Sequence, residues 1–239
     1  MTRAHGIIVL KLLVLVAIAG YCIFSFKPQS LASPQTKKHM YTYLALGDSY
    51  TIGEQVAMQD NFPYQLVSML KKDNFDIADP VIIAKTGWTT DELAMAIREH
   101  NITDTFSVVT LLIGVNNQYR GRDVQNYTEE FTQLLDQAIA FAGGEPEHVF
   151  VVSIPDWGVT PFAEGKDREQ IAKEINAYNS VKEAEAKARK CHYVEITEST
   201  RRNGNNALYL AEDKLHPSAK EYEVWAAKLT PAIAKALKK

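Results

Sequence analysis

From about residue 40 onward, short apolar runs alternate with amphipathic stretches. Tyr41 to Leu46, Val81 to Ala84, Phe106 to Ile113, His148 to Ile154 and Cys191 to Ile196 are the lengths of buried strands. Between them apolar positions recur three and four apart, one face of a helix each time. Leu66, Val67 and Leu70 do so in a stretch that Pro63 opens and Lys72 ends, and Tyr127, Phe131, Leu134, Leu135 and Ala138 between Asp123 and Ala142. Ile171, Ile175, Tyr178 and Val181 repeat the pattern between Asp167 and Arg189, as do Tyr222, Val224, Trp225 and Leu229 after Pro217. Thr90 or Asp91 is placed to cap a further helix over Glu92 to Glu99, and Thr51 to Asn61 reads as polar and irregular. Strands alternating with helices, without a run of hairpins, predict one α/β domain. Its expected architecture is a three-layer α/β/α sandwich around a mostly parallel sheet of about five strands, with Phe106 to Ile113 central.

The segment before this domain has a different pattern. Ile7 to Phe26 is apolar apart from Lys11 and Ser25, follows Arg3 and His5, and leads into a polar stretch containing Pro28 and Pro34. Residues 1–26 therefore read as a signal peptide or N-terminal membrane anchor, 27–39 as a linker, and 40–239 as the folded domain. Ser30-Leu31-Ala32 offers a small-x-small cleavage site. Ala19-Gly20-Tyr21-Cys22 approximates a lipoprotein box, but Tyr21 stands where a small residue is expected. The expectation is export to the periplasm or exterior, or anchoring at a membrane.

Composition narrows the functional classes. A net charge of -3 supplies no global basic field, so nucleic acid is not an expected partner. The two cysteines, Cys22 and Cys191, form neither a disulfide framework nor a zinc spacing. No glycine-rich phosphate loop is present, and neither a metal nor a cofactor is expected.

Three short motifs fall just after strands, and a fourth precedes the last helix. They are Gly47-Asp48-Ser49, Gly87, Gly114-Val115-Asn116, and Asp213 with His216 three residues on. Parallel strands would bring the first three to one sheet edge, where open α/β sheets carry their chemistry. A serine hydroxyl needs a base within hydrogen-bond reach, and the base needs an orienting acceptor. One turn could supply both through Asp213 and His216. Attack on an acyl carbon then creates an oxyanion, for which the Ser49 N–H, the Gly87 N–H and the Asn116 amide are candidate donors. Asp156 is a rival acid without a histidine at short range, and the absence of GxSxG around Ser49 argues against a nucleophile elbow.

With those residues in order, the chain resembles an SGNH hydrolase of the GDSL esterase/lipase superfamily from about Tyr41 to Leu229. The family's four blocks match at Ser49, Gly87, Asn116 and His216, with its Asp at Asp213. Where the family's third block often reads Gly-x-Asn-Asp, this chain has Asn117, a departure beside the donor rather than at it. The resemblance implies a flavodoxin-like sheet, a metal-independent serine ester hydrolase, and a shallow, permissive acyl site.

The expected substrate is therefore a small-molecule, lipid or carbohydrate ester. Trp88, Tyr119 and Trp157, with Phe162, lie on loops expected to border the site as rim or packing residues. Arg120 and Arg122 are expected to be solvated, or to meet an anionic head group. Two other readings use the same chain: a polysaccharide O-deacylase or acyltransferase of the same family, and a catalytically dead flavodoxin-like binding module.

Overall fold

The structure, a computed structural model, describes residues 40–238. The leader and linker assigned to residues 1–39 lie outside the described residues. Among the described residues, no helix is long and apolar enough to cross a membrane.

Five parallel strands form one sheet: β1 (Tyr43–Asp48), β2 (Val81–Lys85), β3 (Val108–Leu112), β4 (Val149–Val152) and β5 (His192–Val194). Their order is β2-β1-β3-β4-β5, the flavodoxin-like arrangement. The helices are α1 (Ser49–Ile52), α2 (Phe62–Lys72), α3 (Thr90–His100), α4 (Val115–Tyr119), α5 (Val124–Phe141), α6 (Arg168–Ala188), α7 (Thr197–Asn203) and α8 (Ala219–Ala236). From β1 the chain steps outward to β2, then returns across β1 and continues in the other direction. Right-handed crossovers therefore put α2 on one face of the sheet and α3, α5 and α6 on the other. After β5, α8 comes back to pack on α2. The reversal lies between β1 and β3, so their carboxyl ends form the crevice where ligands of such sheets bind.

Several boundaries differ from the sequence expectation. β1 extends through Gly47 and Asp48, and the short helix that Ser49 opens takes in Thr51 and Ile52, the first residues of the stretch expected to be irregular. β2 is an edge strand with one neighbour, and Val81 is 47% exposed, whereas its apolar composition predicts full burial. β1, β3 and β4 are buried along their whole length, as the parallel pattern predicts. The third helix starts two residues earlier than expected: Thr89 is its N-cap and its N–H donates to the Glu92 carboxylate at 2.8 Å. Asn61 caps α2, so Pro63 occupies the second helical position; Ser218 caps α8, leaving Pro217 outside it. The short helices α4 and α7 carry too few residues to show a period and escape sequence reading.

Candidate active site

Each residue of Gly47-Asp48-Ser49 has a separate physical task. A Cβ at Gly47 would lie 2.4 Å from the Leu112 carbonyl oxygen and 2.1 Å from Thr51 Oγ1, so only glycine fits between β1 and β3. Asp48 is the N-cap of α1; its Oδ1 accepts the Tyr50 N–H at 3.0 Å. Ser49 is then the first helical residue, 4% exposed, with its hydroxyl at the crevice.

His216 arrives from the other end of the chain. Its Nε2 lies 3.0 Å from Ser49 Oγ, and its Nδ1 lies 2.5 Å from Asp213 Oδ2. Asp213 Oδ1 accepts the backbone N–H groups of Leu215 and His216 at 3.0 and 2.9 Å. Lys214 sits at φ 59, and the turn is closed by Ala211 N–H donating to the His216 carbonyl at 2.8 Å. Partial burial opposes ionisation of Asp213, but the hydrogen bonds from the His216 ring and the two N–H groups outweigh it. Together they hold the carboxyl below its ordinary range. The tilted Tyr50 ring packs on the imidazole of His216, with centroids 5.3 Å apart.

Gly87 follows β2 in a tight turn in which Trp88 N–H donates to the Lys85 carbonyl at 3.2 Å. Its φ of +83 is the left-handed conformation that such a turn demands, while a Cβ there would make only an ordinary contact, with Arg120 Nη2 at 3.7 Å. Asn116, on α4, donates one amide hydrogen to the Trp88 carbonyl at 2.9 Å, leaving the second for another acceptor. Asn117 is fully buried and turned away: its Oδ1 accepts Thr90 N–H at 3.1 Å and its Nδ2 donates to Thr90 Oγ1 at 2.6 Å. An asparagine can both accept from and donate to α3 in this way, so it ties α4 to α3 with no charge buried.

Ser49, Gly87, Asn116 and His216 converge on one cavity of about 180 Å³, walled further by Tyr50, Val115, Tyr119, Trp157, Phe162 and Leu215. Tyr119, Trp157 and Phe162 pack as an aromatic cluster, with the Tyr119 and Trp157 centroids 5.2 Å apart and edge-on. Trp157 Nε1 donates to Gln118 Oε1 at 2.7 Å, and Gln118 Nε2 to Glu174 at 2.7 Å, which fixes the indole. Trp88, expected on the rim with Tyr119 and Trp157, instead packs its side chain partly buried against the core and contributes only its carbonyl. The tight turn at Gly87 redirects it.

Other candidate residues have different partners. Asp156 is buried and paired with Arg201 at 3.0 Å. Arg120 donates to the Gly87 carbonyl at 2.6 Å, and Arg122 pairs with Asp91 at 2.6 Å. Arg120 keeps its side chain 44% exposed while making this bond, and Arg122 is half-buried. His100 and His148 bond to backbone carbonyls at 2.8 Å, and His192 stacks on Phe150. Among the described residues, no group of three or more His, Cys, Asp or Glu is placed to hold a metal ion.

Residues 45–224 match the model of the GDSL-like Lipase/Acylhydrolase family. The chain belongs to this family. No curated protein matches the sequence. Among solved structures, a lipase from a goat rumen metagenome is similar at a TM-score of 0.66 and 20% identity, over 81% of this chain and 97% of that one. The psychrotrophic esterase EstA from Pseudoalteromonas sp., inhibited by monoethylphosphonate, gives 0.61 and 16% over 83% and 100%. A variant of a Geobacillus acetyl-xylooligosaccharide esterase gives 0.62 and 17% over 83% and 94%. At these identities the likeness is one of fold, which this GDSL hydrolase shares with all three.

Proposed function

We propose that this GDSL hydrolase is a serine esterase acting through an acyl-enzyme on Ser49. The observation that carries the reading is the continuous chain from Ser49 Oγ to His216 Nε2 at 3.0 Å and from His216 Nδ1 to Asp213 Oδ2 at 2.5 Å. His216 takes the Ser49 proton as Oγ bonds to the ester carbonyl carbon. It then returns that proton to the departing alcohol. Asp213 holds the ring in the tautomer with its proton on Nδ1. The Ser49 and Gly87 N–H groups and the second Asn116 amide hydrogen receive the oxyanion, and water, deprotonated by His216, cleaves the acyl-enzyme.

The substrate half next to the carbonyl faces Val115, Leu215 and the Tyr119–Trp157–Phe162 cluster, which suits a small apolar or aryl acyl group. Covalent labelling by a fluorophosphonate and turnover of short p-nitrophenyl esters, in wild type beside Ser49→Ala, test the reading. Labelling and turnover by wild type only are expected; a folded Ser49→Ala protein that still turns over ester overturns it. A panel of acyl lengths, acetylated sugars and acceptor alcohols then separates hydrolysis from acyl transfer. From the sequence alone, residues 1–26 carry the enzyme out of the cytoplasm or tether it at a membrane. Fractionation of cells expressing the full chain tests this, and cytosolic protein with an intact amino terminus overturns it.

A further inference from the structure

Lys182, on α6, is fully buried. Its ammonium lies 5.3 Å from the Phe131 ring centroid, and Nζ donates to the Ile113 carbonyl at 2.9 Å. The Tyr127 hydroxyl donates to the same oxygen at 3.1 Å. An ammonium in the core is strongly unfavourable unless compensated, whereas an unbranched apolar side chain could fill the same space. Burial pushes the Lys182 ammonium down to about 7, against the opposing pull of Asp48. Burial likewise pushes the Asp48 carboxyl up to about 7, against the Tyr50 N–H and Lys182. Asp48 Oδ2 is buried with no hydrogen-bond partner among the described residues, so beyond the Tyr50 N–H on Oδ1 the lysine charge is the next compensation for this carboxyl.

Both groups that feel this ammonium support the active site. The Ile113 carbonyl belongs to the peptide leading into Gly114, whose φ is +128 and whose missing Cβ would lie 2.7 Å from the Tyr127 hydroxyl. The next residue, Val115, begins α4, so the orientation of this peptide sets the direction in which Asn116 leaves the sheet. On the neighbouring strand, Asp48 caps α1 at Ser49.

We propose that Lys182 is a positioning residue for the oxyanion hole: its buried ammonium anchors the turn from β3 to α4 and offsets Asp48 beneath Ser49, holding Asn116 and Ser49 in register. The proposal rests on the esterase reading above. Lys182 touches no reacting atom, so its removal acts on the transition state through geometry.

The test is the kinetics of Lys182→Met on a p-nitrophenyl ester, per active site titrated with a fluorophosphonate, together with inhibition by a trifluoromethyl ketone. The ketone adds Ser49 Oγ to its carbonyl carbon, passes the serine proton to His216 and leaves an oxyanion on the same donors. Lys182→Met is expected to lower kcat about 10- to 100-fold, with KM changed less than about twofold and ketone affinity lowered alongside kcat. A folded variant with wild-type kcat overturns the proposal, as does one whose loss lies in KM with ketone affinity unchanged. Should Lys182→Met give no cooperative melt, Tyr127→Phe decides, since it removes the second donor to Ile113. It is expected to lower kcat and ketone affinity together by about 3- to 10-fold, and no change in either overturns the proposal. If wild type neither hydrolyses esters nor is labelled, and so equals Ser49→Ala, the esterase reading itself fails and Lys182 falls with it.

Discussion

His216 meets Asp213 twice: its ring Nδ1 lies 2.5 Å from Oδ2, and its own backbone N–H donates to Oδ1 at 2.9 Å. One carboxylate therefore sets both the tautomer of the imidazole and the turn that carries it. Asp213→Asn retains an acceptor for the backbone while facing Nδ1 with an amide donor. We expect kcat to fall by about 10²- to 10⁴-fold with the fold unchanged, read by steady-state kinetics and circular dichroism. A folded variant with near-native kcat would move the orienting role elsewhere.

His216→Ala should be nearly as damaging as Ser49→Ala, each costing at least about 10⁴-fold in kcat, and the double variant should be little worse than either. The reason is the 3.0 Å link between them, through which the proposed mechanism makes each group depend on the other. Additive losses in the double variant would mean that the two act separately.

Asn116 already spends one amide hydrogen on the Trp88 carbonyl, which aims the side chain. On the proposed mechanism Asn116→Ala removes one oxyanion donor, so kcat should drop about 10²- to 10³-fold while KM stays close to wild type. An effect confined to KM would place Asn116 in ground-state binding instead.

The Asp48 carboxyl, pushed up to about 7 by burial, gives a pH signature in stability. Its folded value lies above the ordinary carboxylate value, so the folded state binds the extra proton. The contribution is therefore greatest at acidic pH and is lost as pH rises from about 4 through 7. Asp48→Asn keeps an acceptor for Tyr50 N–H and removes this titration. Thermal melts of the pair across that window should show wild type losing stability, relative to the variant, as pH rises; parallel profiles would contradict the assignment.

Gly47 and Gly87 should respond differently to alanine. At Gly47 the added methyl meets backbone at 2.4 Å, and β1 must separate from β3, so a loss of more than about 3 kcal/mol is expected. At Gly87 the methyl would only touch Arg120 Nη2 at 3.7 Å and the φ of +83 is the strain, a cost of about 1–2 kcal/mol. Chemical denaturation checks both.

The sequence by itself determined the strands, the long helices and the four motifs, because each depends on local chemistry: apolar periodicity, a cap, a turn glycine, or a three-residue spacing. Ser49, Gly87, Asn116, Asp213 and His216 could be listed in order on that basis, and the parallel sheet followed from strand and helix alternation. Tertiary structure decided what depends on neighbours distant in the chain. Strand order made β2 an edge and put the carboxyl ends of β1 and β3 together. The Gly87 turn sent the Trp88 side chain to the core and its carbonyl to Asn116. Asp156 found Arg201 rather than a histidine, and Lys182, which no sequence pattern singles out, is buried with its ammonium on the Ile113 carbonyl. A side chain's charge is visible in a sequence, but its desolvation and its partners exist only once the chain has closed around it.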